Sequence, residues 1–262
     1  ASFACGFREG LSHINQTNTC FIEFLTKTTP FKHQEEVIEL SKDRRYFGLF
    51  MEQGTGKSLV TIATFTHLYR ADKINGVLIL APNGVHDNWV RNEIPAHCPL
   101  TTHEMSVACW HGSDGVKKRA VWDYVANNCE DHFVVLAANI EAVRTDAFMR
   151  TIRRFCETRK FMLVVDESTC IKNPKADQTK QVMKISKNAT YTRILTGTPI
   201  TQSPLDLWAQ CKVLDELAIP YPSYTAFKRE FAVEQVLNFG HRSFTKVVGY
   251  QNQKLLAQLI AP

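Results

Sequence analysis

The chain is poor in the features that mark several protein classes. Its eight cysteines, at 5, 20, 98, 109, 129, 156, 170 and 211, include no pair at the close spacing of a zinc finger or ribbon. They are also too scattered over 262 residues for a disulfide-stapled miniature domain. They read as reduced thiols, mostly small buried apolar side chains. His97-Cys98 is the one adjacent pair of potential ligands, and chance neighbourhood accounts for it. No apolar run reaches the length of a membrane span. The opening ASFACGFREG lacks the basic-then-apolar plan of a signal peptide, so the expected setting is intracellular with no membrane partner. There are no repeats and no Gly/Ser- or Pro-rich linkers. Neither sign of charge dominates: 31 basic against 26 acidic residues leave +5, which permits a polyanionic partner without demanding one. With 44% apolar and 22% charged residues, disorder is excluded as the dominant state. The chain starts without Met and stops in LLAQLIAP, as expected of a piece of a longer protein.

What is present is an alternation. Short β-branched runs at 46–51, 77–81, 105–110, 133–137, 161–165 and 192–195 are separated by stretches of helical spacing at 59–70, 86–93, 116–127, 146–158 and 176–187. Several runs are apolar almost throughout, as strands buried on both faces should be. Strand–helix alternation predicts a mostly parallel α/β sheet with helices on both faces, a three-layer α/β/α domain. Beyond Pro199 the strand signal fades. Segments 205–217, 224–233 and 252–260 look helical, with an irregular stretch at 239–250, so a helical extension of the same domain is expected.

Gly54-Thr55-Gly56-Lys57-Ser58 follows the first run and opens a helical stretch, the context a phosphate-binding loop requires. Glycines let the backbone turn tightly and approach phosphates, and the helix N-terminus favours anions. Lys57 would reach the β- and γ-phosphates, and the Ser58 hydroxyl would hold Mg²⁺. The strict pattern wants Gly at 51, where this chain has Met51. A second signal is Asp166-Glu167, closing the fifth run. Paired acids there fall at the carboxyl edge of a parallel sheet, where ligands bind. Asp166 could hold Mg²⁺ and Glu167 could orient or deprotonate the attacking water. The competing reading has Asp166 capping a helix and Glu167 solvated. The two signals together favour the chemistry, because both predict one sheet edge.

Five stretches in order then carry a resemblance: FKHQ (31–34), MEQGTGKS (51–58), LILAPNGVHDNW (78–89), VVDESTCIKN (164–173) and ILTGTPI (194–200). With the continuation PLDLWAQCKVL and the ending GYQNQKLLAQLIAP, the chain from about residue 30 to 262 resembles the first RecA-like lobe of a Swi/Snf-type ATPase of helicase superfamily 2. Its compact form is nearest to phage or bacterial members. The resemblance implies a RecA-like lobe over 30–200 with a helical extension over 201–262, a flank over 1–29, and a second RecA-like lobe outside this chain. It implies ATP rather than GTP, read by Gln34, with Gly54, Thr55, Gly56, Lys57 and Ser58 around the phosphates. It implies that Thr196, Gly197 and Thr198 couple the nucleotide site to nucleic acid. Pro82, Asn83, Asn139 and Lys172 match positions that touch the nucleic-acid backbone or follow the acidic motif. The partner implied is double-stranded DNA. The acidic motif reads DEST where the family has DEAH, so Ser168 and Thr169 replace Ala and His. A hydroxyl can still donate a hydrogen bond toward the coupling segment.

Trp89, Trp110, Trp122 and Trp208 could stack bases, but they fall inside strand or amphipathic patterns and packing suits most of them better. The basic clusters 117–119, 153–154 and 159–160 read as solvated faces. The function expected is ATP-driven translocation on duplex DNA. A strand-separating helicase, a non-hydrolysing nucleotide-sensing module and a small-molecule kinase stand as alternatives, the last disfavoured by the match after Thr196.

Overall fold

The computed structural model describes residues 24–112, 115–128, 132–239 and 242–260. Cys5, Cys20, Cys129, most of the N-terminal flank and Pro262 lie outside the described residues, as do the side chains of Lys117 and Lys118.

Six parallel strands form one sheet in the order β1-β6-β5-β2-β4-β3. They are β1 (Tyr46–Leu49), β2 (Gly76–Ala81), β3 (Met105–Trp110), β4 (Phe133–Asn139), β5 (Phe161–Asp166) and β6 (Tyr191–Leu195). The three central strands β5, β2 and β4 are buried almost end to end, which is why they read as continuous apolar runs. Alternate residues feed two cores. Val77, Ile79, Val135, Ala137 and Val164 pack under α1 (Lys32–Ser41) and α2 (Lys57–Arg70) on one face. Leu78, Leu80, Val134, Leu136 and Val165 pack under α5 (Val116–Asn128), α6 (Asp146–Thr158) and α7 (Asp177–Ser186) on the other. The predicted three layers are therefore present. In α6 the buried residues Phe148, Ile152 and Phe155 follow helical spacing, and the Thr145 hydroxyl caps the helix by accepting from the Phe148 amide.

The expected helix over 86–93 is instead three pieces: α3 (Val85–Asn88), a π turn (Trp89–Glu93) and α4 (Ile94–His97). Pro95 has no N–H to give back one turn, and its ring crowds the carbonyl there, so the ladder widens just before it. At the opposite end of the sheet from the strand C-termini, Arg193 is fully buried. Its guanidinium donates to the carbonyls of Ser41, Arg44, Arg45 and Thr192, fastening the end of α1 to β1 and β6. Burial among uncharged carbonyls pushes its pKa down to about 10.

Past residue 200 the chain packs a third cluster from α8 (Leu207–Leu214), α9 (Tyr224–Phe231) and α10 (Gln253–Leu259). The expectation of a wholly helical extension needs correcting. β7 (Ala232–Phe239) and β8 (Arg242–Tyr250) form an antiparallel hairpin where the sequence looked irregular. A bulge at Val233/Glu234 shifts the phase of the alternation, and Val236, Phe244 and Val248 face solvent. Among its described side chains only Ala232 is buried, so the hairpin writes no period-2 pattern. Among the described residues no helix is long and apolar enough to cross a membrane.

Candidate nucleotide site at the sheet edge

Because all six strands are parallel, their C-termini end on one edge, and the sequence-predicted residues fall there in strand order. The glycine loop follows β1, Thr196–Thr198 follow β6, Asp166-Glu167 end β5, Pro82-Asn83 follow β2 and Asn139 ends β4.

The loop is built around two glycines with positive φ, Gly54 at 80° and Gly56 at 88°. An added Cβ at Gly54 would meet nothing within 4 Å, so open space lies beside it. At Gly56 a Cβ would stand 2.1 Å from the Gln34 amide nitrogen. Only glycine allows that approach. Gln34 is buried. Its Nε2 donates to the Thr55 carbonyl at 3.0 Å, and its Oε1 accepts from the Phe31 amide at 2.9 Å. Lys57, first residue of α2, donates to the carbonyls of Met51 at 3.0 Å and Glu52 at 3.1 Å. The Thr55 hydroxyl donates to the Glu52 carbonyl, closing the turn. Ser58 follows, half-buried, in the first turn of α2.

Asp166 is only 8% exposed. Trp89, the first residue of the π turn, donates its indole N–H to Oδ2 at 2.8 Å, and the Glu167 amide donates to Oδ1 at 2.9 Å. Burial raises the Asp166 pKa and the Glu167 charge adds to that. The two donors and the nearby Lys57 ammonium pull the other way without cancelling it. Glu167 itself sits in the left-handed region at φ 48°, an uncommon place for a side-chain-bearing residue. That turn points its carboxylate at β6, where the Thr196 hydroxyl lies 3.4 Å from Oε2.

Thr196 and Gly197 join the glycine loop as well. The Thr196 amide donates to the Leu49 carbonyl, and a Cβ on Gly197 would lie 3.4 Å from the Gln53 amide. The Thr198 amide donates to the Thr196 hydroxyl. Ser168 is fully buried and donates to Gln210 Oε1 at 2.6 Å, while Gln210 Nε2 donates to the Pro199 carbonyl at 2.7 Å. The acidic motif thus reaches the segment after β6 through Gln210, a residue of α8.

Other predicted positions are engaged locally. The Asn139 side chain caps the 3₁₀ turn Ile140–Arg144, accepting from the Ala142 amide. Lys172 donates to the Thr201 hydroxyl at 2.6 Å. Pro82 accepts from the Val85 and His86 amides, and Asn83 is exposed. Beside Asn139, Trp110, Arg119, Glu141 and Arg144 line a groove of about 440 Å³. All four tryptophans are buried: Trp110 stacks edge-on against Trp122, and Trp208 donates to the Tyr221 carbonyl. Arg159 is buried at the far end of the sheet, donating to the Asn75 and His132 carbonyls, whereas Arg153 and Arg154 are solvated.

The profile of the SNF2-related domain matches residues 34–262, nearly the whole described chain. The chain belongs to the SNF2-related domain family. Within it, the chain is 28% identical over 156 residues to the mouse (Mus musculus) SWI/SNF-related matrix-associated actin-dependent regulator of chromatin subfamily A containing DEAD/H box 1, covering 60% of this chain and 14% of that protein. It is 30% identical over 158 residues to ATP-dependent helicase fft3 of Schizosaccharomyces pombe, again 60% of this chain and 16% of the relative. The Sulfolobus solfataricus SWI2/SNF2 ATPase core domain superposes with a TM-score of 0.59 at 26% identity, over 79% of this chain and 39% of that one. The same core in complex with dsDNA gives 0.62 at 23% identity over 79% and 40%, which speaks to the fold. The chain spans well under half the length of these relatives.

Two contributors at this SNF2-family site were not singled out for their roles in the sequence. Trp89 stands in a sequence pattern that reads as packing or base stacking, and Gln210 in one that reads as an ordinary helix. The family-specific stretches HDNW and DLWAQ contain both, but no local periodicity gives either a polar role.

Proposed function

We propose that this chain is the first motor lobe of an ATP-dependent double-stranded DNA translocase. The observation that carries the proposal is the convergence of the glycine loop, Lys57 and the Asp166-Glu167 pair on one sheet edge, with Lys57 close enough to Asp166 to act on its ionisation.

The residues fit ATP-Mg²⁺. The Gly54 backbone has room beside it for phosphates, and the N-terminus of α2 follows directly. In this reading Lys57 exchanges its two carbonyl partners for phosphate oxygens. Gln34 keeps one N–H and one lone pair beyond its two present bonds, a donor–acceptor pair suited to an adenine edge. Asp166 is a buried carboxyl whose charge lacks full compensation, so with the Ser58 hydroxyl it suits a divalent cation. Mg²⁺ held there would supply charge neutralisation to the phosphates. Glu167 orients the attacking water and accepts its proton. Thr196, bonded to Glu167, and the Ser168–Gln210–Pro199 link transmit the state of that carboxylate to Gly197 and Thr198. Pro82, Asn83 and Asn139, farther along the edge, present loop groups to a DNA backbone, contacts that position without reading sequence. Lys172 serves through Thr201 instead, steadying the coupling segment.

The second lobe of the motor would supply arginines to the γ-phosphate. Such residues are worth about 10³–10⁵ in rate in related NTPases, roughly 4–7 kcal/mol of barrier. The 262-residue chain should therefore bind a fluorescent ATP analogue and hydrolyse ATP very slowly, and Lys57→Ala should abolish binding. Turnover by the chain alone at the rate of a complete motor overturns the proposal, as does undiminished binding by Lys57→Ala. In the full-length protein, ATPase activity stimulated by duplex without strand displacement separates a translocase from a helicase.

A further inference from the structure

The sequence shows no paired zinc ligands, yet the fold assembles a set from two separate elements. We propose that His86, Cys109 and His111 form a zinc-binding site, completed by water, that ties the segment after β2 to the end of edge strand β3.

Cys109 and His111 are two residues apart at the end of β3, so strand alternation turns both to the same side. His86 and Asp87 in α3 face them. Ligand atoms of His86, Cys109 and His111 all lie within 4.8 Å of one another. Cys109 Sγ is 3.8 Å from His111 Nε2, and Asp87 Oδ1 is 3.5 Å from that sulfur and 2.9 Å from that nitrogen. Tetrahedral zinc with ordinary bond lengths needs ligand–ligand separations of about 3.3–3.6 Å. Cys109 and His111 reach that with a shift of a few tenths of an ångström, and His86 closes in from within its 4.8 Å bound by a side-chain adjustment.

His86 gives an independent pointer. It is 2% exposed, and its Nδ1 lies 3.3 Å from the Pro82 carbonyl, to which it donates. That bond fixes the tautomer and leaves Nε2 as a bare lone pair, buried and without a hydrogen-bond partner. A buried acceptor in that condition costs stability unless something occupies it. A backbone carbonyl on one imidazole nitrogen and a metal on the other is the usual arrangement of a ligating histidine.

A cysteine–histidine–aspartate hydrolytic relay is the rival use of these groups. It requires the two nitrogens of one imidazole to face sulfur and carboxylate separately. Here the same nitrogen of His111 meets both, so the donors converge on a point. A thiolate with two imidazoles suits zinc rather than magnesium or calcium. His111 and Asp87 remain 31% and 28% exposed, which leaves a way in. Binding releases the Cys109 thiol proton to solvent and moves the His111 proton to Nδ1. None of the phosphate-loop residues takes part, so this site stands independently of the motor reading.

The metal-stripped chain should take up one equivalent of Co²⁺ with a thiolate-to-metal charge-transfer band and tetrahedral d–d absorption, both displaced by one equivalent of Zn²⁺. Cys109→Ser should lose the charge-transfer band, and both it and His111→Asn should bind zinc at least tenfold more weakly. Cys98→Ser, at a buried thiol outside the cluster, serves as control and should match wild type. Circular dichroism on each variant confirms folding. No zinc uptake by folded wild type, a cobalt spectrum without the thiolate band, or equal zinc affinity in Cys109→Ser overturns the proposal.

Discussion

Trp89→Phe tests whether the buried indole holds the acidic motif in its working state. The indole N–H meets Asp166 Oδ2 at 2.8 Å, in a place where the carboxyl is only 8% exposed. A hydrogen bond to a charged acceptor contributes about 1.5–3 kcal/mol, against about 0.5–1.5 kcal/mol to a neutral one. Phe also leaves a small cavity, so the polar part must be isolated by a double-mutant cycle with Asp166→Asn. The cycle should return a coupling of about 1–2 kcal/mol by urea denaturation. The pH dependence has a definite sign. Asp166 has a raised folded-state pKa, so its contribution is fully present below the unfolded carboxylate value and is lost as pH rises through the folded one. Removing the indole donor raises that pKa further. Trp89→Phe should therefore cost more stability at neutral pH than at acid pH, where Asp166 is protonated in both proteins. A coupling below about 0.5 kcal/mol, or a cost that grows on acidification, would refute the reasoning.

Three further outcomes are expected. Gly56→Ala forces a left-handed alanine whose Cβ meets Gln34 at 2.1 Å, so it should cost about 2–4 kcal/mol and weaken binding of an ATP analogue. Gly54→Ala, with open space around the new Cβ, should cost only about 1–2 kcal/mol in the same denaturation assay. Gln210→Leu removes both the acceptor for Ser168 and the donor to Pro199, so in the full-length protein it should leave ATP-analogue affinity near wild type while DNA stimulation of ATPase activity falls at least tenfold. Cys156, Cys170 and Cys211, each pushed up to about 12 by burial, should resist iodoacetamide in the native chain, as peptide mapping would show, and react once urea exposes them.

Much of the fold is legible because burial writes its own period into the chain. The apolar runs at 133–137 and 161–165 mark strands covered on both faces, and the structure extends each by only one or two residues at the C-terminal end. The hairpin over 232–250 is illegible for the opposite reason, since among its described side chains only Ala232 is buried and a bulge breaks its phase. The π turn before Pro95 is half legible: proline announces a disturbance without saying that the ladder widens rather than stops. The candidate site divides in the same way. Gly54, Gly56 and Lys57 are a local pattern, because a phosphate-binding turn is built from consecutive residues. Asn139 and Lys172 carry their matched identities, but only the folded chain reveals that one caps a turn and the other holds Thr201.

By itself the sequence determined the alternation of strands and helices, the glycine turn and the acidic pair at a strand end, and through them the SNF2-type reading. These follow from short-range sterics and from side-chain burial, which act on neighbours. Tertiary structure alone decided that Trp89 would grip Asp166 across 77 residues, that Gln210 would bridge Ser168 to Pro199, and that His86 would meet Cys109 and His111. Such meetings depend on strand order and on how loops cross the sheet edge, and a hydrogen bond or metal between distant segments leaves no periodic trace along the chain.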